Sequence, residues 1–304
     1  MRIIFMGTPD FAVVSLNALL QAGEEVVAVV TTPDKPAGRG QKMHESAVKK
    51  YAVKQGIPVL QPEKLRNPDF IATLRSYQAD LQVVVAFRML PEIVWNMPPL
   101  GTINVHASLL PQYRGAAPIN HAIIQGETHT GVTTFLLQHE IDTGNVLFSQ
   151  KVEIGEEDTA GVLHDKLMVV GAEVLLKTIQ AMGSTNLHPV PQAEIETTEL
   201  KKAPKIFKED CKILWDQPTN DVYNQIRGLS PYPAAYTELN GRMLKIFETK
   251  KGQPVDKDPG TYTTDGKTFL SFATQDGSLL ITSLQLEGKK RMQIEEFLRG
   301  YRLD

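Results

Sequence analysis

The chain has 304 residues, 32 Lys and Arg against 35 Asp and Glu, a formal net charge of −3, and apolar and charged fractions of 42% and 22%. That length suits two domains, and those fractions belong to a globular protein rather than a disordered or fibrous one. No apolar run of about 18 residues is present, the start MRIIFMGTPDF lacks the apolar region and cleavage site of a secretory leader, and the single cysteine, Cys211, rules out an internal disulfide and a multi-cysteine metal site.

A cytoplasmic protein is therefore expected. Residues 2–6 (RIIFM) form a short apolar run, and residues 11–21 read as an amphipathic helix that Asp10 can cap and Gly23 can end. Residues 26–30 are a second buried strand. Strand, helix and strand at this length predict a right-handed βαβ unit and a parallel sheet. The first turn holds one glycine, so G-x-G-x-x-G is absent, and G-x-x-x-x-G-K-[ST] occurs nowhere. Residues 31–45 (TTPDKPAGRGQKMHE) then break the alternation with more Pro and Gly than a routine connection carries. Lys35, Arg39 and Lys42 make this stretch basic, and Gly38 and Gly40 flank Arg39. A plain surface loop and a flexible basic arm reaching for phosphates both fit.

Alternation resumes with a helix at 46–55, a strand at 58–60 and a helix at 69–77. Residues 81–87 (LQVVVAF) are the most apolar run and the predicted central strand. Ligands of open α/β sheets sit beyond the carboxyl ends of strands. Phe87, Met89 and Leu90 are thus candidates to wall a flat aromatic ligand, and fit the core equally well. The strand from Thr102 onward differs in kind. Ile103 and Val105 share one face, while Thr102, Asn104, His106 and Ser108 line up on the other. An amide, an imidazole and a hydroxyl on one side of a buried strand each require partners. A helix at 118–125 follows, then strands at 130–138 and 145–154, with Asp142 in an Asp-Thr-Gly turn after the first. A long helix runs from Asp158 and Thr159 to about residue 182.

Residues 186–205 are polar and proline-bearing without periodicity, which reads as a linker between a domain at 1–185 and another at 206–304. The second domain shows one helix near 220–229. Short alternating runs at 235–239, 242–248, 268–273 and 279–284 predict a small β-barrel of the OB-like kind. The charge is asymmetric: residues 1–200 hold 15 basic against 21 acidic side chains, residues 201–304 hold 17 against 14. Such a split is compatible with a nucleic-acid partner for the C-terminal part and equally with an ordinary solvated surface.

Asn104, His106 and Asp142 are the chemically distinctive groups. No serine or cysteine stands in a nucleophile-elbow pattern. Asp142-Thr143-Gly144 matches an aspartic-protease tripeptide, but that chemistry needs two such carboxylates. A metal on His106 and Asp142 would need a third ligand, and His139 and Glu140 are expected to face away along a strand. Non-covalent addition to a carbonyl remains: an amide N–H and an imidazolium donate to an oxyanion, while a carboxylate orients the imidazole or takes a proton.

INVHASLLPQYRGAAPI followed by IDTGNVL resembles the signature of the 10-formyltetrahydrofolate-dependent transferases and hydrolases. MGTPDFAVVSLNALL, PDKPAGRGQK and LEGKKRMQIEEFLRG resemble the branch of that family whose acceptor is the amino group of methionyl initiator tRNA, and the likeness covers essentially the whole chain. It implies an open, mostly parallel Rossmann-like sheet followed by a smaller β-barrel that holds tRNA. It implies 10-formyltetrahydrofolate as formyl donor, no metal, and a monomer. It also implies that Asn104, His106 and Asp142 are catalytic, that Ser108, Leu109, Leu110 and Pro111 line the folate site, that Gly7, Thr8 and Phe11 border the methionyl pocket, and that Arg39 and Lys42 meet the acceptor stem. The segment from Ala86 to Pro91 departs from the family, which more often has Ala-Tyr-Gly and one residue more before Leu-Pro. A formyltransferase for a small amine would share the three catalytic residues without needing the PAGRGQK arm or a basic barrel. A formyltetrahydrofolate hydrolase would release formate without an acceptor, and a tRNA-binding module with a dead transferase domain would not keep all three.

Overall fold

The structure is a computed structural model that describes residues 1–37, 42–184, 187–197 and 199–303. In chain order its elements are β1 (Arg2–Gly7), α1 (Asp10–Gln21), β2 (Glu25–Val30), β3 (Lys35–Ala37), β4 (Lys42–His44), α2 (Ala47–Lys54), β5 (Val59–Leu60), α3 (Pro68–Ser76), β6 (Leu81–Val85), α4 (Glu92–Trp95), β7 (Thr102–His106), β8 (Arg114–Gly115), α5 (Pro118–Ile124), β9 (His129–Leu136), β10 (Val146–Glu153) and α6 (Ala160–Met182). Then come β11 (Lys202–Ala203), α7 (Thr219–Leu229), β12 (Ala235–Leu239), β13 (Arg242–Gly252), β14 (Tyr262–Thr264), β15 (Leu270–Ala273), β16 (Ser278–Leu286), β17 (Met292–Gln293) and α8 (Ile294–Gly300). The contacts define two compact units: Met1–Arg114 with Thr130–Val152 and His164–Lys201, and Gly115–His129 with Glu153–Leu163 and Lys202–Asp304.

The first unit is built on a seven-stranded sheet in the order β10-β9-β7-β6-β1-β2-β5. The pairs β1/β2, β1/β6, β6/β7 and β2/β5 are parallel, whereas β7/β9 is antiparallel. β6 is the central strand, as its mostly apolar character predicts, and every one of its residues is buried, Gln82 among them. Strand order reverses between β1 and β6, so the crevice beyond their carboxyl ends is the place where such a sheet takes a ligand. Gly7 closes β1 there; a Cβ at this position would lie 2.6 Å from Ala12 Cβ and 3.0 Å from Val85 O, so only glycine lets α1 pack this close.

Several local expectations change. Pro9, not Asp10, occupies the N-cap position of α1, and Asp10 instead puts its carboxylate in the first turn, where the helix dipole favours it. Ser46 caps α2 through its hydroxyl. Within the basic stretch, β3 and β4 pair antiparallel, Lys35 with His44 through Ala37 with Lys42. The base of this hairpin is fastened by Lys49, which pairs with Asp34 and lies 2.8 Å from Glu45. Gln61 Nε2 adds a bond to Asp34 Oδ1 at 2.8 Å, and the Thr31 and Ser46 hydroxyls share one at 2.8 Å. Hydrogen bonds from Lys49 and then Gln61 hold the Asp34 carboxyl below its usual range. Arg39 lies outside the described residues, as does the side chain of Lys42.

The sequence boundaries place residues 187–201 between two domains, whereas their contacts place them in the first unit. Val190 and Val146 exchange both backbone hydrogen bonds at 2.8 Å. Gln112 donates to Thr197 Oγ1 at 2.6 Å and to Glu199 O at 2.7 Å, and Tyr113 N–H donates to Lys201 O at 2.7 Å. A polar strand of chain can pack well when its partners are backbone groups, and hydrophobic periodicity does not register that.

The second unit carries a curled antiparallel sheet, β12-β13-β16-β15-β14 with β17 beside β16, a half-barrel of the OB-like kind. Irregular register near Ile246 and Glu248 bends β13. Its core includes Leu244, Ile246, Ile281 and Phe297, and Trp215 stacks on Phe272 with ring centroids 4.6 Å apart.

Candidate active site

The polar face read from the sequence exists, and its members find partners of different kinds. Thr102 Oγ1 donates to Trp95 O at 2.6 Å and so belongs to the fold. Asn104 is half-buried on the same side of β7 two residues before His106. His106 is only 6% exposed, its ring set edge-on to Phe135. Its Nε2 lies 2.9 Å from Tyr113 O. A carbonyl only accepts, so Nε2 carries the hydrogen and donates it, which leaves Nδ1 as the atom facing the site.

Nδ1 faces Asp142 Oδ2 across 3.9 Å. This is ion-pair range but too long for a direct hydrogen bond. Tyr113 O holds the imidazole from the far side, while Asp142 faces its other nitrogen. Nothing fits between Nδ1 and the carboxylate at this separation, but a water or reacting group lying to one side can reach both. In the imidazolium form His106 can donate at both ends, while the carboxylate stabilises that charge.

Asp142 stands in the loop between β9 and β10 with φ +55°, the left-handed region. Few non-glycine residues sit there without support. Two supports are visible. A Cβ at Gly144 would lie 1.6 Å from Leu136 O, so the loop rests directly on the backbone of β9. Gln192, 5% exposed, donates from Nε2 to Asp142 O at 2.9 Å and to Gly144 O at 2.8 Å. His139 and Glu140 lie in this same loop rather than along a strand, and His139 Nε2 sits 3.4 Å from Glu92 Oε1.

The segment after β7 is fastened from within. Ser108 is fully buried and donates to Gln112 O at 2.6 Å. Thr133 Oγ1 donates to Ser108 O at 2.7 Å and accepts from Leu110 N–H at 3.1 Å. Leu110 packs with Phe135 and Val146, and Pro111 is buried while Leu109 is half-buried. Side chains at Ser108, Leu110 and Pro111 therefore serve the fold, and what this segment offers a ligand is backbone. After β6, Leu90 is core, Phe87 is half-buried with the Arg88 guanidinium over its ring, and Met89 is 72% exposed. Arg88 crosses to donate to Glu63 O at 2.9 Å and to Pro62 O, and its Nε is buried without a partner. Burial pushes this guanidinium's pKa down. Exposed Met89 and Ile93, with Ile141 on the Asp142 loop, leave apolar surface at this end of the sheet. Apolar walls, a buried unpaired donor and a few aimed polar groups suit a flat, hydrogen-bonding heterocycle.

Gly7 and Thr8 stand at the end of β1, where Val48 N–H donates to Thr8 O at 3.4 Å. Phe11 is buried against His164, with ring centroids 5.2 Å apart. Sequence reasoning missed Tyr113 and Gln192. The first acts through a backbone carbonyl, which any residue would supply, and the second is one amide in an aperiodic polar stretch. Neither leaves a pattern.

A sequence-family model described as "Formyl transferase" matches residues 1–179, and one described as "Formyl transferase, C-terminal domain" matches residues 205–302. The chain is 54% identical over 310 residues to a methionyl-tRNA formyltransferase of Bacteroides thetaiotaomicron, covering 100% of this chain and 96% of that protein. It is 55% identical over 311 residues to one of Phocaeicola vulgatus, covering 99% and 96%. Among solved structures it is similar to WlaRD, a sugar 3N-formyl transferase crystallised in the presence of dTDP and 5-N-formyl-THF, with a TM-score of 0.68 at 20% identity over 95% of this chain and 99% of that one; at that identity the likeness speaks for the fold. Family models matching both parts of the chain, together with relatives more than half identical over its length, define a formyl transferase. Within that class the chain belongs to the methionyl-tRNA formyltransferase family.

Proposed function

We propose that the protein moves a formyl group from 10-formyltetrahydrofolate to the free amino group of methionyl initiator tRNA, as a cytoplasmic monomer, and that Asn104, His106 and Asp142 carry the reaction. The observation supporting this reading best is the convergence of His106 and Asp142, 3.9 Å apart, at the carboxyl end of the sheet. When bound, the folate supplies an activated formyl carbonyl.

The chain's own groups do the rest. Asn104 directs its amide N–H, and His106 its Nδ1–H, at the oxygen on which negative charge develops. Tyr113 O keeps the imidazole from turning. The acceptor's α-amino group, with a reference pKa of about 7.7–8, attacks the formyl carbon as the free base. Asp142 Oδ2 takes its proton directly or through one water, and a proton passes to the donor's nitrogen as the bond from that nitrogen to the formyl carbon breaks and tetrahydrofolate leaves. Met89 and Phe87, backed by Leu90, wall the folate ring, and the backbone from Ser108 through Leu109 and Leu110 to Pro111 fixes its edge. Gly7 and Thr8 border the methionyl side chain, with Phe11 behind them. Arg39 and Lys42, in the basic stretch of residues 31–45, meet the acceptor stem, and the C-terminal half-barrel holds the tRNA's flank.

The test is formyl transfer from 10-formyltetrahydrofolate to methionyl initiator tRNA, with uncharged tRNA and glycinamide ribonucleotide as controls. Transfer to the charged tRNA alone is expected. Transfer to the ribonucleotide, or formate release without an acceptor, would assign the chain to a different reaction.

A further inference from the structure

We propose that Gln192 is a positioning residue for the formyl-transfer reaction: one buried side-chain amide sets the place of Asp142 by holding its loop at two backbone points. This rests on the function proposed above. Gln192 Oε1 accepts from Arg114 Nε at 2.9 Å and from Arg114 Nη2 at 2.6 Å. Its Nε2 donates to the carbonyls of Asp142 and Gly144 at 2.9 and 2.8 Å. Both lone pairs and both hydrogens of the amide are thus in use.

The orientation is not free to invert. Arg114 has only donors, so the atom facing it must be the amide oxygen, and the two carbonyls must then receive the NH₂ group. The two bonds from arginine are charge-assisted and converge on the one amide oxygen, which fixes the direction in which the amide points. Arg114 thereby aims Gln192, and Gln192 aims the loop. The segment bearing Gln192 is tied beside the loop's exit by the Val190–Val146 bridge. Asp142 has φ +55°, a conformation that reverts readily once its restraints go. Its carboxylate stands 3.9 Å from His106 Nδ1, a separation that a small loop shift would change in proportion.

Gln192→Leu keeps the bulk but removes both donors and both acceptors, and Gln192→Glu sets a carboxylate against two carbonyl oxygens. Each should lower kcat by about 10–100-fold, the cost of misplacing a reacting group by about 1 Å, with KM for folate and for methionyl-tRNA within about 2-fold of wild type. Because Gln192 acts through Asp142, adding Gln192→Leu to Asp142→Ala should change kcat by less than about 2-fold. Multiplying effects in that double variant, an unchanged kcat in the single variants, or a raised KM at constant kcat would each overturn the proposal. If neither Gln192 variant folds, Arg114→Lys leaves the amide in place but removes the fork that orients it, and the same kcat-only loss is expected. Amide exchange at residues 143–145 gives a readout independent of turnover. It should speed up in Gln192→Leu, and unchanged exchange there would sink the inference even if the wild-type protein proved to transfer no formyl group.

Discussion

Replacing Gly144 by alanine should disable the enzyme without unfolding it. The added Cβ would start 1.6 Å from Leu136 O, a backbone atom of β9 with no freedom to swing aside. Moving that contact out even to 3.0 Å displaces the loop backbone by about 1.4 Å. Gly144 is two residues from Asp142, and the Gln192 amide spans both, so the shift passes to the carboxylate. A misplacement of about 1 Å can cost about 10²-fold in rate, so kcat for formyl transfer should fall by about 10²-fold or more. Folate affinity should fall much less than kcat, because Met89 and the Ser108–Pro111 backbone are untouched and only Ile141 of the apolar surface lies on the displaced loop. Gly183→Ala is the control: its Cβ would meet Gln180 O at an ordinary 3.5 Å. Steady-state kinetics on purified, folded variants decide the matter. A Gly144→Ala enzyme within about 3-fold of wild-type kcat would show that Asp142 does not need the position described.

Three other outcomes can be checked. His106→Ala and Asp142→Ala should each lower kcat by about 10²–10⁴-fold with the circular-dichroism spectrum unchanged, and near wild-type turnover in either would remove it from the mechanism. Hydrogen bonds from Lys49 and Gln61 lower the Asp34 carboxyl below 3.8, so its contribution to stability is present above that pH and is lost as pH falls through the lowered folded value. The difference in urea midpoint between wild type and Asp34→Asn should accordingly hold steady from pH 7 down to the ordinary carboxylate range and shrink as the pH falls further; a difference that grows with acidification contradicts the assignment. Arg39→Ala should cut kcat/KM for methionyl-tRNA by about 10²-fold or more, a lost charged contact of about 1.5–3 kcal/mol compounded by misplacement of the amine, while folate binding holds. If Arg39→Ala and Lys35→Ala both leave tRNA kinetics alone, recognition lies outside this hairpin.

The elements that hydrophobic pattern controls were legible in the chain itself. LQVVVAF reads as a central strand because both faces of β6 are buried, whereas the reversal of strand order beside it is set by the packing and not by the succession of elements. Asn104 and His106 announce themselves as polar groups on a strand that has no reason to be polar. What escaped the sequence was fixed by backbone partners. Tyr113 grips His106 with a carbonyl, the chain at Val190, Thr197, Glu199 and Lys201 packs through main-chain and amide bonds, and the β3/β4 hairpin is closed by Asp34, Lys49 and Gln61 from three separate stretches of chain. Asp10 failed as a cap because Pro9, with extended backbone angles, already occupies the entry position. In each case the deciding contact joins groups whose separation along the chain is not encoded in any period.

The two titratable members of the site are mounted differently. His106 sits at the end of a central strand, enclosed, with one ring nitrogen committed to Tyr113 O; it can scarcely move without moving the sheet. Asp142 sits in a left-handed conformation on a loop that rests on β9 at Gly144 and accepts two hydrogen bonds from the Gln192 amide. An oxyanion stabiliser gains from rigidity, since its donors must already point where charge appears. A carboxylate that accepts a proton from an incoming amine must instead tolerate a change of partner, from ammonium or water to imidazolium. At 3.9 Å from Nδ1 it stands close enough to stabilise that charge yet is not locked to it by a hydrogen bond. Changes on the loop should therefore register in kcat well before they register in stability, whereas changes beneath His106 should damage both together.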